Sequence, residues 1–160
     1  MASGGAATTD PSLLSVVDAA AAGLTLTFDA TTTADELADQ TLDPNVAALA
    51  TGIAVAGGGA SAGDELVIVN AIRLRDPGVG DEWFREWRDS YDRAACGPAG
   101  GSSGDRNAVS TIAGHEVFIG ACRNVVFTYH TRLHDGSIVV SLTSIGPSKL
   151  GARLLEHLAP

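Results

Sequence analysis

The sequence predicts an α+β domain of two layers, in which the main helices pack on one face of an antiparallel sheet. Residues 108–145 alternate between apolar and polar side chains in four runs that are separated by short turns. A strongly amphipathic helical segment precedes these runs, and a Leu-rich helical segment follows them. The length of 160 residues suits a domain with a single core.

Composition limits the classes of partner. The chain carries a formal net charge of −9, and Lys149 is its only lysine. Nucleic acids and anionic membranes both attract clustered cations, so neither is an expected partner. No apolar run reaches the roughly 18 to 20 residues that span a bilayer, so no transmembrane segment is predicted.

The N-terminus and the two cysteines indicate the compartment. MASGGAATTD has neither the basic head nor the apolar stretch of a signal peptide. Its small residues are typical of a tether that remains after a signal or lipid-anchor segment is removed. We therefore expect a flexible tether over residues 1–11 and one domain over residues 12–160. Two cysteines in a small domain fit a disulfide in an oxidising compartment, so the predicted location is extracellular or the cell envelope. A cytosolic protein with two buried thiols is the alternative.

The first elements are short. Residues 12–22 form either a short helix or an irregular entry segment. Leu24–Phe28 alternates Leu, Thr and Phe, which predicts a strand. Thr33 and Glu36 have the spacing of a capping box, which predicts that a helix starts at Thr33.

A second helix and two strands are predicted next. Asp43-Pro44 is a typical helix start and predicts a short helix from Asn45 to Ala50. Residues 52–56 and 65–75 are rich in β-branched and aliphatic side chains and are predicted strands. Asn70 interrupts the apolar face of the second strand and requires hydrogen-bond partners if it is buried.

The amphipathic helix is predicted over Asp81 to Ala95. Its apolar stripe comprises Trp83, Phe84, Trp87, Tyr91, Ala94 and Ala95. Its opposite side carries ion pairs spaced four residues apart, formed among Arg85, Arg88, Asp89, Asp92 and Arg93. Core packing on the sheet explains the aromatic stripe better than a ligand site does.

The segment Asp135-Gly136 is a two-residue hairpin turn, and it fixes the register of the flanking strands. The predicted cross-strand pairs are Phe127–Ser144, Tyr129–Leu142, Thr131–Val140, Leu133–Ile138 and His134–Ser137. One face of this hairpin is apolar and is predicted to face the core. The other is predicted to be solvated and comprises Thr128, His130, Arg132, His134, Val139, Ser141 and Thr143. Ala113-Gly114 predicts an earlier hairpin, and residues 147–158 a final helix.

The cysteines are predicted to form a disulfide between the helix and the sheet. Cys96 follows the amphipathic helix, and Cys122 ends a strand that begins near Glu116. A helix packed on a sheet can bring such ends within the Cα separation of about 4.4 to 6.8 Å that a disulfide needs.

No catalytic, metal or cofactor signature emerges. His130 and His134 share a strand face but lie roughly 13 Å apart at the rise of a strand, too far to hold one ion. A nucleophilic Cys122 would lose its thiol to the disulfide. The pattern G-x-S-x-G occurs only within the Gly-rich loops GGGASAG and GPAGGSSG, which we interpret as linkers and which lack the lysine of a phosphate-binding loop. We therefore predict no cofactor and no enzyme activity.

The run GHEVFIGACRNVVFTYHTRLHDGSIVVSLTS, followed by KLGARLLEHLAP, is similar to the C-terminal part of exported or lipid-anchored proteins of high-GC bacteria whose function is unassigned. The similarity covers Leu66 to Pro160 and consists of a hairpin, a Tyr-bearing strand, a hydrophobic strand and a Leu-rich helix. It implies a setting in the cell envelope and supplies no catalytic residues.

Two functional hypotheses follow. The first is an exported, non-catalytic domain that acts in binding or interaction at the cell envelope. Its partner is an unknown envelope protein or a small ligand, and its candidate binding residues are Thr128, His130, Arg132 and Ser141. The second is a small-molecule carrier or enzyme that uses a cavity between sheet and helices. A closed interface around Trp83 and Trp87 favours the first, and a deep polar pocket favours the second.

Overall fold

A computed structural model describes residues 5–40, 44–56, 65–96, 108–122 and 125–158. The predicted helix start at Asp43 and the two predicted Gly-rich loops lie outside these ranges, apart from their terminal residues Glu65 and Cys96. Within the ranges, the strands are β1 (Thr8–Thr9), β2 (Leu24–Phe28), β3 (Val46–Ala56), β4 (Leu66–Leu74), β5 (Ala108–Ile112), β6 (His115–Cys122), β7 (Val126–Leu133) and β8 (Ile138–Ile145). The α-helices are α1 (Ala30–Gln40), α2 (Asp81–Cys96) and α3 (Leu150–Leu155).

The strands form one sheet in the order β1-β3-β4-β8-β7-β6-β5, and β2 also pairs with β3. Every pairing is antiparallel except that of β1 with β3, which is parallel. The predicted α+β class with an antiparallel sheet is therefore confirmed in outline. Thr8 and Thr9 of the expected tether belong to the sheet, and Asp10 accepts a hydrogen bond from the Ser12 amide at the start of a 3-10 helix, Pro11–Val16.

The predicted hairpin between β7 and β8 is confirmed with its register. Four of the five predicted cross-strand pairs belong to the ladder, which ends at Leu133–Ile138, so His134 and Ser137 belong to the turn instead. Asp135 and Gly136 have φ angles of 55° and 88°, and the amide of Ser137 donates to the carbonyl of His134 at 3.1 Å. Positive φ at both central residues defines the turn that matches strand twist. Ala113 and Gly114 form the second predicted hairpin, with φ angles of 50° and 82°.

Two apolar clusters lie on opposite faces of the sheet. The face that contains Val140 packs against the 3-10 helix and α3, including Leu154. The face that contains Val139 packs against α2, including Phe84 and Trp87. Adjacent residues of a strand point to opposite faces, so the prediction that the main helices share one face is not confirmed.

The predicted helix from Asn45 to Ala50 is wrong, because these residues enter β3. Val46 pairs with Leu74, and Ala50 pairs with Ala71. Apolar clusters cover both faces of β3, with Ala50 in one and Val46 in the other. Pairing with β4 and burial on both sides override the helix propensity of the alanines.

The ends of two helices differ from the prediction. α1 begins at Ala30, before Thr33, because the carboxylate of Asp29 accepts from the amide of Thr32 at 2.9 Å and caps the helix. Thr33 is buried within the helix, where its hydroxyl accepts from the amide of Thr51 at 2.9 Å. α3 is shorter than predicted and covers Leu150–Leu155.

Candidate functional site

Helix α2 runs alongside β6, and residues four apart in the helix contact residues two apart in the strand. The guanidinium carbon of Arg88 lies 4.1 Å from the centre of the Phe118 ring. One helical turn later, Asp92 faces Gly120, where an added Cβ would lie 3.6 Å from either carboxylate oxygen. Four helical residues advance by about 6 Å and two strand residues by about 6.6 Å, so the contacts stay in step along the helix.

The third contact of this series is the disulfide. Cys96 and Cys122 are bonded, with their Cα atoms 5.5 Å apart, so the predicted pairing is confirmed. The bond ties the last residue of α2 to the last residue of β6. A disulfide is consistent with an extracellular or exported protein.

The polar face of the β7–β8 hairpin lies under α2. Thr128 and His130 are 1% exposed and Ser141 is 0% exposed. The indole ring of Trp87 meets the imidazole of His130 edge-on, with the ring centres 5.7 Å apart. The prediction that this face is solvated is therefore wrong, because α2 packs on it instead of on the opposite, more apolar face.

Asp92 and His130 form a buried pair between α2 and β7. Oδ1 of Asp92 lies 2.7 Å from Nε2 of His130, and Asp92 is 5% exposed. Burial by itself raises the pKa of the Asp92 carboxyl, but the hydrogen bond and charge of His130, aided by the charge of Arg88, outweigh it and lower the pKa. The prediction that Asp92 lies on the solvated side of the helix is wrong.

The same interface contains the residue types of a charge-relay triad. His130 and Ser141 are paired across β7 and β8, and Asp92 contacts His130. Nδ1 of His130 and Oγ of Ser141 are buried and have no hydrogen-bond partner among the described residues. However, each of these three side chains is covered by α2 and the sheet, so a substrate cannot reach Ser141.

A small groove opens beside the first half of α2. Its volume is about 220 Å³. Its lining combines cationic, acidic and aromatic side chains: Asp81, Phe84, Arg85, Arg88, Glu116, Phe118 and Arg132. Among the four predicted binding residues, Arg132 alone lines this groove, whereas Thr128, His130 and Ser141 lie in the covered interface.

Arg132 is held in position at the groove by several contacts. Its Nη1 donates to Oδ1 of Asp81 at 2.9 Å, and its Nη2 donates to the carbonyl of Val79. Its guanidinium carbon lies 5.0 Å from the centre of the Phe84 ring. These contacts present a fixed cation against an aromatic wall.

Sequence reasoning missed the arginines of α2 as site residues. Phe84, Arg85 and Arg88 recur at helical spacing, which places them on adjoining parts of one face. This spacing indicated that the three side chains share a surface. The contact between Arg88 and Phe118 could not be predicted in this way, because it depends on how the helix packs on the sheet.

Among the described residues, no cluster of three or more His, Cys, Asp or Glu side chains could hold a metal ion. In the same part of the chain, no helix is long and apolar enough to cross a membrane. Comparison with known proteins gives no match to a family model, a curated protein or a solved structure.

Proposed function

We propose that this chain is an exported, non-catalytic α+β domain that binds a partner or ligand at the cell envelope through the groove beside α2. The observation that carries the proposal is the convergence of Arg85, Arg88 and Arg132 on one small opening. Three of the ten Lys and Arg residues lie there, in a chain with a net charge of −9. A local concentration of cations against the overall charge favours recognition of an anionic group.

The closed interface between α2 and the sheet supports a binding role over catalysis. Trp87 is buried, and the polar groups beneath it are sealed from solvent. The groove, at about 220 Å³, is smaller than the roughly 300 to 1,000 Å³ of most pockets for drug-sized ligands. A carrier or enzyme that works in a deep cavity between sheet and helices is therefore the less favoured candidate.

Export is supported by the Cys96–Cys122 disulfide, since such bonds persist mainly in oxidising compartments. Fractionation of native cells, followed by a digest without reductant, tests this part. We expect the protein in the envelope or medium fraction, with the two cysteine peptides linked. Recovery from the cytosol with two free thiols would contradict it.

Binding is tested by retention of envelope components on the immobilised protein. The Arg85→Glu/Arg88→Glu variant reverses two charges in the groove and should lose the specific components. Arg93→Glu is the matched control, because Arg93 is exposed on the same helix and does not line the groove. Equal retention by both variants would contradict the groove as the binding site, provided that their melting temperatures agree.

A further inference from the structure

We propose that the groove binds a small organic anion: a carboxylate carried on a planar apolar group about the size of one aromatic ring. This inference rests on the binding function proposed above and specifies the chemistry of the ligand. The groove offers hydrogen-bond donors for the anion and the half-buried Phe118 ring for the apolar part.

The donors come from Arg85 and Arg88. Arg85 is exposed, and it makes no ion pair in the part of the chain that the structure describes. Arg88 approaches the carboxylate of Asp89 through Nε at 3.8 Å, a distance too long for a hydrogen bond. A guanidinium presents a planar fork of N–H groups, and a carboxylate can accept two of them at once.

Arg132 already holds a carboxylate in this groove. Oδ1 of Asp81 accepts from Arg132 at 2.9 Å, although the Asp81 side chain is fully exposed. Ion pairs with a fully exposed partner contribute little to stability. A ligand carboxylate can therefore replace Asp81 on Arg132 at little cost. Glu116 is the other acidic residue of the lining. Its carboxylate repels an anion, so a bound ligand should place its charge beside the arginines and away from Glu116.

The apolar wall determines the body of the ligand. The rings of Phe84 and Phe118 meet edge-on with their centres 5.5 Å apart. Phe84 is buried, so the half-buried ring of Phe118, with the guanidinium carbon of Arg88 4.1 Å from its centre, supplies the accessible aromatic surface. A planar ring fits such a wall by stacking or edge contacts. The volume of about 220 Å³ restricts that body to a small molecule.

Titration of the full chain with benzoate, followed by amide chemical shifts, tests the inference. We expect saturable shifts in α2 and β6. Benzamide is the neutral analogue of matching shape and should bind at least tenfold more weakly. Arg88→Gln should weaken benzoate binding at least tenfold. Arg85→Gln is a second variant that should also weaken it, and because Arg85 is exposed, this substitution should not disturb folding. Arg93→Gln should bind as the unmodified protein does.

Four outcomes would overturn the inference. Equal binding of benzamide and benzoate would remove the anion requirement. Inorganic phosphate that binds as well as benzoate would remove the requirement for an apolar body. Phenyl phosphate that binds tighter than benzoate would replace the carboxylate with a phosphate. If benzoate does not bind but the Arg85→Glu/Arg88→Glu variant still loses envelope components, the proposed ligand class is wrong and the groove remains the binding site. If benzoate does not bind and the variant retains those components, both proposals are rejected.

Discussion

Nε2 of His130 lies 2.7 Å from Oδ1 of Asp92, and this contact joins α2 to the centre of the sheet. A carboxylate can only accept, so Nε2 carries the proton in this pair. Nδ1 of His130 is buried without a partner in the described part of the chain. Among the described residues, Asp92 is therefore the hydrogen-bond partner of the His130 ring.

The pair predicts that Asp92 stabilises the domain. Asp92→Ala should lower the free energy of unfolding by about 1 to 3 kcal/mol, because it leaves Nε2 of His130 buried and unsatisfied. Urea denaturation measures this loss. Glu86→Gln is the control on the same helix, since Glu86 is exposed, and it should change stability by less than about 0.5 kcal/mol. Equal effects of the two substitutions would show that the Asp92–His130 contact contributes nothing.

The lowered pKa of Asp92 predicts a specific dependence of stability on pH. In acid the unfolded chain binds a proton at Asp92 more readily than the folded chain does, so stability rises with pH. The contribution is complete above the unfolded pKa of about 3.9 and is lost as pH falls through the lower folded pKa. The difference in unfolding free energy between the unmodified protein and Asp92→Asn should therefore shrink on acidification. A difference that stays constant or grows in acid would contradict this assignment.

The hairpin could be predicted from sequence, because a two-residue turn and a two-residue strand period fix register by local chemistry alone. The face on which α2 packs could not be predicted in the same way. A helix could pack on either face of the hairpin, and the sequence pattern predicted packing on the more apolar face. Yet the face with His130 and Ser141 lacks acidic residues and lysine and includes Val139, which is unusual for a solvated strand surface.

Asp92 shows a second limit of pattern reading. It falls eight residues after Phe84 and next to Tyr91, so it lies at the edge of the apolar stripe. A charged residue there is normally assigned to solvent. Its burial depends on His130, which comes 38 residues later. A long-range partner of this kind leaves no local periodic signal.

The disulfide predicts sensitivity to reduction. Cys96 and Cys122 are 26 residues apart, and closing a loop of that size stabilises the folded state by about 3 to 4 kcal/mol in the chain-entropy approximation. Reduction should lower the melting temperature by roughly 2 to 4 °C for each kcal/mol lost. The Cys96→Ser/Cys122→Ser variant should melt at a lower temperature and show no further change with reductant. An unchanged melting temperature on complete reduction would contradict a stabilising role.

The last prediction concerns the space that Gly120 leaves between β6, β7 and α2. Gly120 pairs with Thr128, and a Cβ at Gly120 would lie 2.5 Å from Oγ1 of Thr128. Thr128 is buried, so its side chain has little room to move. Gly120→Ala should therefore cost about 1 to 3 kcal/mol, as overpacking in a core does. Gly80→Ala is the control, because nothing lies within 4 Å of the added Cβ.

A double-mutant cycle separates this clash from a loss of backbone freedom at Gly120. Thr128→Ala removes the atom that the new Cβ would meet. Its combination with Gly120→Ala should therefore destabilise the domain less than the sum of the two single substitutions. We expect a favourable coupling of at least about 0.5 kcal/mol, the lower end for residues in contact. Strictly additive losses in urea denaturation would mean that the clash is relieved elsewhere, and that Gly120 is not what allows Asp92 and Thr128 to approach the same point of the sheet.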